Sequence, residues 1–249
     1  MLFFSKKKPT LKDLIPQNHI DIHSHLLPGI DDGAQNFSET LELTKALQSF
    51  GISQIITTPH VIQNIWDNDS HKINQKASET IINLQNSQIN IPFTAAAEYL
   101  MDDSFVKLFQ SEKLLTLKDN YVLVEMSYIN PPMQLYSILF DLKVAGYIPI
   151  LAHPERYLFY HKNTSEYNNL KKAGCLFQLN LLATTGYYGA EITKTADYLL
   201  QKGMYDFVGS DVHNMKHISS FDEKLKIKDI SLLKEIISNN QFFYISEEK

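Results

Sequence analysis

One pattern recurs along the chain and restricts its fold more than any other feature. A helix-period segment ends in glycine, a short apolar run follows, and a polar residue of catalytic type closes it. Ser38 can cap a segment carrying Leu41, Ala46, Leu47 and Phe50 that stops at Gly51; ISQIITTPH then ends at His60. Leu135, Ile138, Leu139 and Leu142 sit at i, i+3, i+4 and i+7 before Gly146, and YIPILAH ends at His153. Tyr167, Leu170 and Ala173 precede Gly174 and CLFQLN; Ile192, Ala196, Leu199 and Leu200 precede Gly203 and YDFVGSD. Glycine fits the left-handed position that ends a helix. The runs are rich in Ile, Val, Leu and aromatics, as strands buried on both faces should be.

Three further runs, HIDIHSH, IPFTAAAEY and YVLVEM, complete seven expected strands: 20–24, 53–58, 93–98, 121–126, 148–152, 176–180 and 206–210. A helix with Ile73, Ala77, Ile81 and Leu84 joins the second and third. Alternating strand and helix units imply an α/β protein with a parallel sheet. A closed or distorted (β/α) barrel fits better than an open doubly wound sheet. Neither GxGxxG nor GxxxxGK[ST] occurs, which weighs against dinucleotide and nucleoside triphosphate binding. No Gly-, Ser- or Pro-rich linker divides the 249 residues, so one domain is expected.

The net charge of −5 gives no reason to expect nucleic acid or an anionic membrane as partner. No apolar run approaches the ~20 residues a spanning helix needs, so an integral membrane protein is not expected. In MLFFSKKKPT the apolar residues precede the lysines, the wrong order for a secretory signal, and Lys6 to Lys8 read as a solvated tail. The single cysteine, Cys175, forbids an internal disulfide and fits a reducing compartment.

The strand ends carry the chemistry. In a parallel barrel the C-terminal ends of the strands form one face, where active sites assemble. His23 and His25 are two residues apart, so on an extended chain both project to one side. Asp31 and Asp32 follow in a loop. His60, Glu98, Glu125 and His153 end the next four strands; Asp211 and His213 end the seventh, and Asn180 ends the sixth. Five histidines and four carboxylates result: His23, His25, Asp32, His60, Glu98, Glu125, His153, Asp211 and His213. Gathering them without cations is costly, because buried charges need partners. Mixed imidazole and carboxylate sets suit zinc, manganese or iron. Nine ligands are too many for one ion and enough for two or three. Three divalent ions against four carboxylates leave about +2, a site suited to phosphate. Asp31 is a supporting partner or a turn residue. His19, His71, His161 and His217 read as ordinary structural histidines.

DIHSHLLPGIDDG (21–33), TTPH (57–60), AAEY (96–99), LVEMS (123–127), AHPERY (152–157) and GSDVH (209–213) resemble the polymerase and histidinol phosphatase (PHP) family. Within it they resemble the bacterial capsule-type tyrosine-protein phosphatases. The resemblance runs from about residue 19 to about residue 240 and implies a distorted (β/α)7 barrel. It divides the chain into an N-terminal extension, 1–18, and a phosphatase domain, 19–249. It implies three divalent ions, manganese foremost with iron, zinc or magnesium as alternatives, on the nine positions named, including Asp32 rather than Asp31. It implies hydrolysis of phosphotyrosine by metal-activated hydroxide, with a phosphate-binding arginine at Arg156. The implied partner is a phosphotyrosine protein, the tail of a membrane tyrosine kinase of polysaccharide export, reached from the cytoplasm. A small-molecule phosphatase such as a histidinol-phosphate phosphatase is the main alternative. A metal-dependent nuclease and a non-catalytic barrel are the others.

Two residues sharpen this reading. A cysteine-dependent tyrosine phosphatase needs Cys-x5-Arg, but the sixth residue after Cys175 is Leu181. Cys175 then reads as a small buried hydrophobe. Arg156 is the only arginine beside 22 lysines, three residues after His153. A guanidinium grips phosphate through two parallel hydrogen bonds, whereas lysine offers a point charge. An ion pair with Glu155 or another acid is the competing role. Tyr99, Tyr128, Tyr157, Tyr187 and Tyr188 lie near expected strand ends and are candidates to line a substrate cleft; Tyr99 and Tyr128 are the two assigned to substrate binding.

Overall fold

The structure is a computed structural model that describes residues 8–245. Among the described residues, nine short strands alternate with helices. In chain order they are β1 (His19–Asp21), α1 (Phe37–Ser49), β2 (Ile52–Thr57), β3 (His60–Val61), α2 (Ser70–Asn86), β4 (Phe93–Ala95), β5 (Glu98–Leu100) and α3 (Asp103–Ser111). Then come β6 (Tyr121–Glu125), α4 (Leu135–Val144), β7 (Ile148–Ala152), α5 (Ser165–Lys172), β8 (Leu176–Asn180), α6 (Ala190–Gln201), β9 (Phe207–Gly209), α7 (Met215–Ser219) and α8 (Ile230–Asn239).

All strand pairings are parallel, in two sheets ordered β1-β2-β4 and β3-β5-β6-β7-β8-β9. The second and third expected strands are each broken in two, β2/β3 at Thr58-Pro59 and β4/β5 at Ala96-Ala97. Pro59 has no amide hydrogen to give to a ladder. Bonds from Ala96 N to Thr57 O (2.9 Å) and Glu98 N to Pro59 O (3.0 Å) carry the pairing across the break. Beyond β1, a parallel bridge joins Ser24 to Val212, which follows β9. Seven strand positions thus close into a distorted (β/α)7 barrel, interrupted where two sheets meet.

The local expectations mostly hold. Gly51, Gly146, Gly174 and Gly203 all have positive φ just after their helices. The inward row of α4, Leu135, Ile138, Leu139 and Leu142, is buried. The cap of α1 is a correction: Asn36, not Ser38, accepts the Glu39 amide, because Asn36 is extended while Ser38 is already helical.

Helices pack on the outside of the strands in one large apolar cluster. A second cluster joins Ile20, Ile22, Ile56, Leu123, Ile150, Phe207 and Phe243. Its members come from both sheets, from β1 and β2 on one side and β6, β7 and β9 on the other, so they fill the barrel interior. The C-terminal turn closes the base: Asn240 Nδ2 donates to the carbonyls of Ile20 and Val208.

Residues 8–18 pack on the barrel rather than trailing from it. Leu11, Leu14 and Ile15 are buried, Lys8 Nζ donates to Ile227 O (2.8 Å), and Thr10 bridges Lys224. The other two lysines of the expected tail, Lys6 and Lys7, lie outside the described residues. Among the described residues, no helix is long and apolar enough to cross a membrane.

Candidate metal centre

The C-terminal strand ends bring nine side chains into one cluster. Four overlapping groups have ligand atoms within 4.8 Å of one another: His25–Asp32–His60–His213, His23–Glu98–His153, His23–His25–Asp211 and His60–Glu98–Glu125. Strand periodicity explains the aim. Leu123 and Glu125 share one face of β6, and Gln178 and Asn180 share one face of β8. On β6 the apolar Leu123 lies below and Glu125 at the rim; on β8 both positions are polar, Gln178 below and Asn180 at the rim.

Two histidines are fixed from behind. His23 Nδ1 donates to Gln178 Oε1 at 2.8 Å, and His25 Nδ1 donates to Asp31 Oδ2 at 2.8 Å. Both rings therefore present Nε2 inward, 3.3 Å apart. A donor on the far nitrogen sets the tautomer and leaves the near nitrogen free to ligate. Glu98 sits at the middle, with ring nitrogens of His23, His25, His60 and His153 between 3.1 and 3.4 Å from its oxygens. Asp211 Oδ1 faces His23 and His25 at 3.3 and 3.5 Å. Asp32 Oδ1 lies 3.5 Å from Nε2 of both His60 and His213 at the open side.

Burial and charge oppose one another throughout the cluster. Burial opposes ionisation of Glu98, but His23 and His60 outweigh it and hold its carboxyl well below the usual range. Glu125 is pushed up by burial and by the charge of Glu98. Burial lowers His60, yet Glu98 and Glu125 prevail and raise it to about 9. Divalent cations satisfy the same carboxylates without protonating the imidazoles. His153 is already suited to ligation, since burial and Arg156 lower it to about 4.

The residues present fit metal ions on a further observation. His60 Nδ1 and Glu125 Oε1 approach to 2.9 Å, yet neither has a hydrogen-bond partner. His153 Nδ1 is buried without a partner too. Buried polar atoms left unpaired are rare in native proteins and call for an explanation. For the first two, a metal ion held by both residues would provide it.

Backbone geometry is strained at the same place. His153 and Asp211 hold φ of 36° and 51°, the left-handed region that non-glycine residues seldom occupy. Two glycines allow close approach to the ligand backbone. A Cβ on Gly33 would lie 2.1 Å from His25 O, and one on Gly209 would lie 2.6 Å from His23 Cβ. Asp21 ties the first strand to the last, accepting from Ser210 N (3.0 Å) and Ser210 Oγ (2.6 Å).

Arg156 lies at the rim in a 3-10 turn, Pro154–Arg156. Its Nη1 donates to Asp211 Oδ2 at 2.7 Å, and its guanidinium lies 4.8 Å from the Tyr128 ring centre and 4.4 Å from that of Tyr188. Glu155 is not its partner. Glu155 turns into the core, where it accepts from Asn180 N and Tyr205 Oη, both at 2.9 Å.

The aromatic candidates divide. Tyr128 is half-exposed, with its ring stacked on His153, and Tyr188 lies under Arg156. Tyr157 is buried and accepts the Met126 amide. Tyr187 packs edge-on against His217. Tyr99 is a correction: it points away from the cluster. Glu98 faces inward, so its neighbour faces out, packs on Phe105 and accepts the Leu115 amide. Tyr99 lines an outer cavity of 470 Å³ with Trp66, to which none of the nine clustered residues contributes.

Gln178, and Asn180 as a donor, were missed from sequence. Asn180 Nδ2 donates to Asp211 Oδ2 at 2.7 Å. The available signal was two polar residues, two apart, in the apolar run CLFQLN. Of the four histidines set aside as structural, His161 bonds the Glu155 carbonyl, His217 bonds the Asp211 carbonyl, and His71 lies on the exposed surface of α2. His19 is buried with both ring nitrogens unpaired.

Known proteins resemble this chain over most of its length. The family model for capsular polysaccharide synthesis, CpsB/CapC, matches residues 19–222. The chain is 30% identical over 198 residues to tyrosine-protein phosphatase YwqE of Bacillus subtilis, covering 79% of this chain and 78% of that protein. It is 26% identical over 204 residues to tyrosine-protein phosphatase CpsB of Streptococcus pneumoniae, covering 79% and 83%. A solved structure from work on these two proteins, described as metal-dependent tyrosine phosphatases, superposes with a TM-score of 0.79. It is 26% identical, and the match covers 90% of this chain and 93% of that one.

Proposed function

The chain belongs to the CpsB/CapC family of capsular polysaccharide synthesis, and we propose that it is a metal-dependent protein-tyrosine phosphatase holding three divalent ions, manganese foremost. The observation that carries this reading is the convergence of nine ligand-type side chains beside one rim arginine. His23, His25, Asp32, His60, Glu98, Glu125, His153, Asp211 and His213 would hold the ions. When bound, such ions activate water near neutral pH and neutralise charge on a transferring phosphoryl group.

The chain's own residues do the rest. Arg156 grips the phosphate with parallel N–H donors, and the flanking rings of Tyr128 and Tyr188 limit its side-chain freedom. Asn180 and Arg156 occupy Asp211 Oδ2, which turns Oδ1 toward His23 and His25. Gln178 and Asp31 fix two ring orientations. Tyr128 offers an aromatic wall at the mouth for the substrate's phenyl ring. The phosphoryl group passes directly to water and the tyrosine leaves as phenolate, whose low basicity relative to an alkoxide favours departure. No cysteinyl intermediate forms, because Cys175 is buried away from the site with its thiol pushed up to about 12.

We take residues 19–249 as the catalytic domain and residues 8–18 as a strap on its surface. The relatives' names, tyrosine-protein phosphatases, support a phosphotyrosine protein as substrate. We assign the tail of a membrane tyrosine kinase of polysaccharide export, reached from the cytoplasm. The test compares manganese-loaded protein on a phosphotyrosine peptide and on histidinol phosphate. Higher kcat/KM on the peptide is expected; preference for the small ester would overturn the assignment.

A further inference from the structure

Surface helices of a barrel normally turn apolar residues inward and polar ones outward. The outer face of α4 departs from this. Tyr136, Phe140 and Val144 are 43, 66 and 72% exposed and recur every fourth residue, so they stack along one side. The segment before the helix adds Ile129 at 85% and Met133 at 100% exposure. Single exposed apolar residues are ordinary, but five on one helix and the loop leading into it, interspersed with Asn130 and Gln134, suit a contact surface.

The run begins at the site. Tyr128, next to Ile129, lies beside the Arg156 guanidinium and against His153. α4 returns from the C-terminal end of β6 to the start of β7, so it leads away from the rim down the flank of the barrel. Ten residues of helix span ~15 Å.

We propose that Ile129, Met133 and the outer row of α4 form a docking track for apolar side chains flanking the phosphotyrosine of the protein substrate. The inference rests on the phosphatase reading. A phosphotyrosine within a polypeptide brings chain on both sides, and a side that crosses the rim at Tyr128, beside Arg156 and His153, meets these residues. An extended segment rises ~3.3 Å per residue and presents every second side chain to the same face, ~6.6 Å apart. The outer residues of α4 recur every ~6 Å along the helix axis. Two or three alternate apolar residues of the substrate match the track over its length.

The test uses full-length manganese-loaded protein, wild type and the double variant Met133→Asp with Phe140→Asp. Both positions are exposed and neither belongs to the metal centre. Three substrates are compared: p-nitrophenyl phosphate, a phosphotyrosine peptide with alanine flanks, and one with leucine at alternate flanking positions. Wild type is expected to favour the leucine peptide. The variant loses about tenfold in kcat/KM on that peptide, through KM, while p-nitrophenyl phosphate turnover and melting temperature stay unchanged. Equal treatment of the two peptides by wild type overturns the track. So does a variant that keeps full activity on the leucine peptide. A dimeric wild type, a monomeric variant and unchanged peptide kinetics would assign the face to a second copy, which also overturns it. Failure of wild type on all three substrates refutes the phosphatase reading instead, and the track falls with it.

Discussion

Arg156 and Asp211 share a 2.7 Å hydrogen bond between Nη1 and Oδ2, while the other oxygen of Asp211 faces the rings of His23 and His25. One carboxylate thus links the residue that would grip phosphate to the residues that would hold metal. Arginine stays charged at all working pH values, and against the effect of burial His23 with its neighbours holds Asp211 well below the usual carboxylate range, so the link persists at working pH.

Arg156→Lys removes the planar fork and its stacking between Tyr128 and Tyr188 but keeps the charge. The expected outcome is at least a tenfold loss in kcat/KM on phosphotyrosine peptide, with an unchanged circular dichroism spectrum. Near-normal activity would count against the clamp.

Chelation should abolish hydrolysis and manganese should restore it. The metal-free protein should also melt at a lower temperature, because ions that bind only the folded chain stabilise it. Full activity in excess chelator would refute the metal assignment.

Asp31 holds His25 by Nδ1 and also accepts the Gly33 amide at 2.9 Å. Partners behind a ligand typically contribute 10–100-fold in metal affinity. Asp31→Ala is expected to weaken manganese binding by about that range, read by calorimetric titration. Wild-type affinity would show that Asp31 only shapes the loop.

His19 is a pH liability outside the site. Burial pushes it from 6.5 down to about 4. Between those values the unfolded chain binds the proton and the folded chain does not, so stability falls as pH drops through 6.5 toward 4. The loss approaches about 3 kcal/mol near pH 4. His19→Phe should flatten the difference in melting temperature between pH 7 and pH 4.5 relative to wild type. Parallel curves for the two proteins would remove His19 from the account.

Cys175 gives a direct check on the chemistry. With its thiol buried and pushed up to about 12, iodoacetamide at pH 8 should leave the native enzyme active and label it only after denaturation. Inactivation by alkylation of the folded protein would contradict the cysteine-free route.

The barrel was legible because strand and helix periods are local. Gly51, Gly146, Gly174 and Gly203 mark helix ends by a backbone geometry that depends on a few neighbouring residues. What failed was also local in kind: Asn36 and Ser38 both make good caps, and only the surrounding chain path selects one. The break at Thr58-Pro59 could have been read from a proline that cannot donate to a ladder, whereas the break at Ala96-Ala97 has no such local mark. Tyr99 shows a period-2 rule not applied, since Glu98 facing inward required its neighbour to face out.

From the residues alone came the seven-fold β/α repeat, the nine ligand-type side chains at strand ends, and the lone arginine beside them, because residue type and spacing set those. The tertiary structure decided which oxygen of Asp211 meets Arg156, that Gln178 and Asp31 orient His23 and His25, and that an apolar run on α4 starts at the mouth. Those relations join residues up to 155 positions apart. They exist only once closure of the barrel sets the distances between strands that never adjoin in sequence.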